Sequence, residues 1–128
     1  MFIRFVIPSR DEDSGRRQGL FQAADELRAS GRMSGTDEQR LDKVEQWFRE
    51  YLPVPKRFAV SSKPRRKAQA ISWFRDTATE QIARMRELQA ILQSYGVGVE
   101  MLRDRRPGYV VYEDEHQVVA YPFSETSC

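Results

Sequence analysis

The run from position 77 to position 102 constrains the fold more than any other part of the chain. Thr77 and Glu80 have the spacing of a helix-capping box. Ala78, Ile82, Met85, Leu88, Ile91, Leu92 and Tyr95 recur at helical intervals, and Gly96 stands where a left-handed residue closes a helix. The spacing predicts a helix over 77–95. The short apolar stretch 69–74 before it and the alternating stretch 97–102 after it both read as strands. A strand, a helix and a strand in succession are expected to form one unit, its two strands parallel and its crossover right-handed.

The remaining segments are arranged around that unit. Residues 2–7 alternate Ile3, Phe5 and Ile7 on one face and read as a strand ended by Pro8. Residues 9–19 are polar and charged and read as a loop. Leu20, Phe21, Ala24 and Leu27 predict an amphipathic helix over 19–30, stopped at Ser30-Gly31. Thr36 and Gln39 match a second capping box. Leu41, Val44, Phe48 and Leu52 then line one stripe of a helix that stops before Pro53, and the two helices are expected to pair as an antiparallel hairpin. Strands at 109–112 and 117–121 flank the acidic link Glu113, Asp114, Glu115 and His116, and 123–128 reads as a loose tail.

The expected fold class is therefore α+β: a single domain with a mixed β-sheet, the strand-helix-strand unit, a C-terminal antiparallel meander and an N-terminal helical hairpin. Its parts are a strand and helical hairpin over 1–55, a basic loop over 56–68, the unit and meander over 69–122, and the tail. The 128 residues, 40% of them hydrophobic, suffice for one domain with a core.

Several chemistries are excluded by residue supply. Cys128 is the single cysteine and His116 the single histidine. An intrachain disulfide, a cysteine zinc site and any catalytic or metal constellation of several cysteines or histidines therefore cannot be assembled from this chain alone. No Walker-type phosphate loop occurs, and Gly96-Val97-Gly98 follows a helix, which is the wrong context for a dinucleotide fingerprint. No catalytic residue, metal ligand or cofactor is assigned, and the balance leans away from an enzyme. No apolar run is long enough to span a bilayer, and the apolar start is too short for a signal peptide, so a soluble, cytoplasmic protein with no membrane partner is expected.

Charge supplies the candidate binding residues. The net charge is only +2, yet residues 51–75 carry seven cationic side chains and no acidic one, which leaves the rest of the chain at −5. Lys56, Arg57, Lys63, Arg65, Arg66 and Lys67 lie in a loop broken by Pro53, Pro55 and Pro64, with Phe58 and Trp73 nearby for stacking. If both strands of the central unit end at one edge of the sheet, Arg75, Thr77 and Thr79 meet Arg103, Arg105 and Arg106 there, an arrangement suited to an anion. The competing reading gives Asp76 and Glu80 an ordinary capping role at the helix start.

The leading expectation is a small binding module for nucleic acid or another polyanion, with an acidic protein as the other partner for the same loop. A second is a protein-interaction or regulatory protein using Phe21 and Trp47 on the helical hairpin, with self-association open. A third, weaker one is an enzyme acting on a phosphorylated substrate at the strand ends. The acidic link reads as a solvated turn, not a metal site, because consecutive side chains there diverge.

Overall fold

A computed structural model describes residues 1–12, 15–52 and 70–128. Its organising strand is β1 (Phe2–Arg10), which pairs along both edges. On one edge β4 (Glu100–Asp104) runs antiparallel to it, from Phe2 opposite Asp104 to Val6 opposite Glu100. On the other edge Phe2 and Ile3 face Arg75 and Phe74 of β3 (Ile71–Arg75). Further along that edge, Val6 and Arg10 face Gly19 and Arg17 of β2 (Arg17–Gly19). β3 continues outward to β6 (Gln117–Tyr121), and β6 to β5 (Tyr109–Glu113).

Every one of these pairings is antiparallel, which corrects the mixed sheet expected from the sequence. β3 and β4 do run in the same direction, since each is antiparallel to β1, but β1 lies between them and takes the hydrogen bonds of both. The expected parallel pair is thus split by the first strand of the chain. β1 also extends past Pro8 to Arg10, because the proline falls inside a register irregularity between Val6 and Arg10, where its missing N–H leaves no ladder bond unmade. The polar stretch expected as loop contributes β2, which pairs through its backbone.

Three helices complete the described residues: α1 (Leu20–Ala29), α2 (Gly35–Tyr51) and α3 (Thr79–Ser94). Two starts differ from the sequence reading. Ser34, not Thr36, caps α2, its hydroxyl accepting from the Asp37 N–H at 3.2 Å. α3 begins at Thr79 with no side-chain cap, because residues 75–78 form a turn in which the Ala78 N–H reaches the Arg75 carbonyl at 3.0 Å. The close of α3 is as the sequence predicts. Gly96 has φ +81°, its N–H donates to the Gln93 carbonyl, and the Val97 N–H donates to the Leu92 carbonyl, which together make a Schellman cap. Contacts of Phe21 with Phe48, and of Arg28 with Asp42, run in opposite senses along α1 and α2.

The sheet is apolar on both faces. Ile3, Phe5 and Ile7 face the three helices, meeting Leu20 and Leu27 of α1, Leu41 and Phe48 of α2, and Leu88 and Leu92 of α3. Val6, Ile71, Trp73, Leu102 and Val118 gather on the other face with Cys128. The C-terminal segment is therefore not a loose tail. Thr126 and Cys128 are buried, the Thr126 hydroxyl accepts from the Phe123 N–H at 3.0 Å, and the Cys128 carbonyl accepts from the Arg17 N–H at 3.4 Å. An apolar second face needs a cover, and in this small α+β domain the chain end provides part of it.

Candidate functional site

The register of β1 places the strand ends. Arg75 and Asp104 both stand opposite Phe2, so β3 and β4 end at the same end of the sheet, two strand spacings or about 10 Å apart. Arg75, Thr77, Thr79, Arg103, Arg105 and Arg106 accordingly lie at that one end. The chain start stands between the two groups: the Met1 amine is 3.7 Å from the Asp76 carboxylate, and the Asp76 N–H donates to the Met1 carbonyl.

The six side chains differ in what already occupies them. Arg75 donates to the Asp114 carbonyl and to Glu113 Oε2, both at 2.9 Å, and lies over the Phe2 ring, so its guanidinium ties β3 to the β5–β6 turn. Thr77 and Thr79 are exposed and border a hollow of about 290 Å³ with Tyr51, Gln81 and His116. Arg106 stacks over the Phe123 ring, 5.2 Å from its centroid, while its backbone N–H donates to Asp104 Oδ1 at 2.8 Å. Arg103 and Arg105 are exposed and, among the described residues, form no ion pair. Strand alternation puts Arg103 on the helix side with Met101, whereas Arg106 leans on the C-terminal segment. They share an end of the sheet but not a face. Lys56, Arg57, Lys63, Arg65, Arg66 and Lys67 lie outside the described residues.

The acidic link is more ordered than a solvated turn. Burial on its own would raise the Asp114 pKa. The side-chain amide of Gln117, the His116 and Gln117 N–H groups and the Tyr112 hydroxyl all donate to its carboxylate and hold the net value below the ordinary range. The same bond pushes the Tyr112 phenol up. Glu115 stays exposed. Among the described residues no cluster of three metal-ligating side chains is present, and no helix is long and apolar enough to cross a membrane.

A second region was not anticipated. β3 leaves β1 after the Ile3–Phe74 pair, and β2 joins only at Val6, so Arg4 and Phe5 have no strand partner on that edge among the described residues. A cavity of about 520 Å³ opens at this fork, walled by Phe5, Phe21, Phe48, Phe74 and Met85, with Arg4 and Trp73 in its lining. Arg4 is only 8% exposed. Its Nη2 donates to the Arg17 carbonyl, while its Nη1 is buried with no partner, as is Nε1 of Trp73. Burial is the main influence lowering the Arg4 pKa, opposed by the nearby Cys128, yet a guanidinium keeps its charge. A buried donor left unmade costs about 1–3 kcal/mol. The sequence signal for it was one arginine inside the otherwise apolar Phe2-Ile3-Arg4-Phe5-Val6-Ile7.

Comparison of the chain with protein-family models, with curated proteins and with solved structures finds no match. The class defined by the coordinates is a small α+β domain, helices on one face of an antiparallel sheet.

Proposed function

We propose that the protein is a small, non-enzymatic, cytoplasmic binding module whose basic end takes up nucleic acid or another polyanion. The observation that carries this reading is the pair Arg103 and Arg105, exposed and, among the described residues, free of ion pairs at the end of the sheet where β3 also finishes. The acid-free stretch 51–75 adds Lys56, Arg57, Lys63, Arg65, Arg66 and Lys67 from sequence. Exposed arginines cost nothing to leave unpaired in water, and they gain by releasing counterions from a polyanion. The preferred ligand is single-stranded, on the sequence position of Phe58 within the basic run; Trp73, 1% exposed, is buried and takes no part in stacking.

The test is fluorescence anisotropy with a labelled single-stranded oligonucleotide. Affinity is expected to fall by about a hundredfold or more between about 50 and 200 mM salt. Neutralising Lys63, Arg65, Arg66 and Lys67 together is expected to abolish most of it. Absence of binding at low salt, or binding indifferent to salt, overturns the reading.

A second reading uses the helices as a docking face for another protein or another copy. It draws on Tyr51, which is 56% exposed and packs at 5.2 Å on Trp47, itself covered by Arg84. A single mass in light scattering that does not change with concentration or with Tyr51→Ala counts against self-association through this pair.

A further inference from the structure

The sheet ends in two edge strands that are finished differently. Among the described residues β4 pairs only with β1 and β5 only with β6, so each leaves one line of backbone N–H and C=O groups without a strand partner. β4 exposes Glu100 and Arg103, charges of the kind that discourage edge-to-edge pairing. β5 exposes Tyr109 at 66% and Val110 at 41%, and it contains neither lysine nor proline. Its one protective feature is a bulge between Val110 and Tyr112, which twists the edge without charging it. Charge lies instead at the two ends of the strand. Arg105 and Arg106 precede it, while Glu113, Asp114 and Glu115 close it and follow it. Arg75 already holds Glu113, and Asp114 is held by Tyr112, His116 and Gln117. The most open charges are therefore Arg105, exposed and without an ion pair among the described residues, and Glu115, whose side chain is 88% exposed.

We propose that β5 is a self-association edge, to which a second copy of this chain adds its own β5 in antiparallel sense. With the two-fold axis at Val111, Val110 of each copy stands opposite Tyr112 of the other. The orientation follows from charge. Antiparallel pairing brings the arginines before one β5 to the acids after the other, twice over, and sets Arg105 of each copy near Glu115 of the other. Parallel pairing would set like charges side by side. The contact is isologous and each copy has one such edge, so the assembly closes at two chains and does not propagate. A five-residue strand makes a small interface, which gives an exchanging dimer and not an obligate one.

Sedimentation equilibrium of the full chain tests this without nucleic acid, so its failure leaves the polyanion reading untouched. The mass is expected to climb with concentration from one chain towards two and no further. In amide exchange, Tyr109–Glu113 should slow at high concentration and Glu100–Asp104 should not. Val110→Lys, at an exposed position that tolerates the longer side chain, should raise the dissociation constant at least about tenfold. Arg105→Glu or Glu115→Arg alone should weaken the dimer several-fold. The two together should restore it, a recovery that a folding defect does not produce. Tyr51→Ala should leave the dimer as it is. A single-chain mass at every concentration, a dimer indifferent to Val110→Lys, no recovery in the double variant, concentration-dependent protection at β4, or loss of the dimer in Tyr51→Ala overturns the proposal.

Discussion

Arg4 and Arg103 stand on neighbouring paired strands, one residue apart in register, and face opposite circumstances. Arg103 projects into water with no ion pair among the described residues, whereas Arg4 is buried at the fork with one nitrogen unpartnered. Water satisfies the first at no cost to folding. The second is kept at the expense of stability, since a buried cation gains from the interior only what its partners return. An exposed cluster fits a ligand held loosely and released by salt, while the buried guanidinium holds the Arg17 carbonyl and so ties β1 to β2. The same residue type is placed in two environments by the sheet.

The comparison can be strained from several directions. The largest expected effect comes from Phe48→Ala, which removes a buried wall shared by the cavity and the helix-side core. It should lower stability by about 3–5 kcal/mol in urea unfolding and leave the exposed arginines untouched. Next is Gly108→Ala in the turn after Arg105 and Arg106, where an added Cβ would sit 1.9 Å from the Tyr121 carbonyl oxygen at φ +156°. Displacing the β5–β6 edge to make room should cost about 3 kcal/mol and disturb the basic end more than the fork.

Arg4→Met should act in the opposite sense. Replacing an incompletely paired buried cation with an apolar side chain of similar length is expected to raise stability by about 1–2 kcal/mol, measured as a higher urea midpoint. A loss of stability would show that Arg4 is satisfied in the free protein and would dissolve the contrast.

The smallest effect belongs to Asp114, next to the turn held by Arg75. Its folded pKa is lowered by the donors around it, net of the opposing effect of burial, so its contribution is complete above the ordinary carboxylate value near 4. That contribution disappears as pH falls below that value through the lowered folded one. Urea midpoints of the wild type and Asp114→Asn should differ at neutral pH and converge in acid.

Much of the architecture was legible in the sequence, for identifiable reasons. The helix over Thr79–Ser94 and its glycine close follow from local periodicity and cap chemistry, and the strand Gln117–Tyr121 from a short, largely apolar run beyond the acidic link. What was not legible depends on the meeting of distant segments. Nothing near residue 2 says that β1 inserts between β3 and β4, which turns the expected mixed sheet into an antiparallel one. β2 is three residues recruited by backbone pairing, so its composition reads as loop. Thr126 and Cys128 of the tail are buried because Val6, Trp73 and Val118 leave a second apolar face to cover, a need visible only once the sheet is assembled. The common end of Arg75 and Arg103–Arg106 follows from the strand-helix-strand order and holds in the split arrangement, because both strands keep the same direction. Arg4 passes for an ordinary strand residue, since its burial depends on where β2 and β3 part.

Arg103 and Arg105 as part of a polyanion-binding end are tested most directly by the salt dependence of oligonucleotide binding, for the wild type and for a variant with both residues changed to alanine. The expected result is weaker binding and a slope of log affinity against log salt shallower by about 1.4, the value for two fewer neutralised phosphates on a single strand. An unchanged affinity and slope would contradict it.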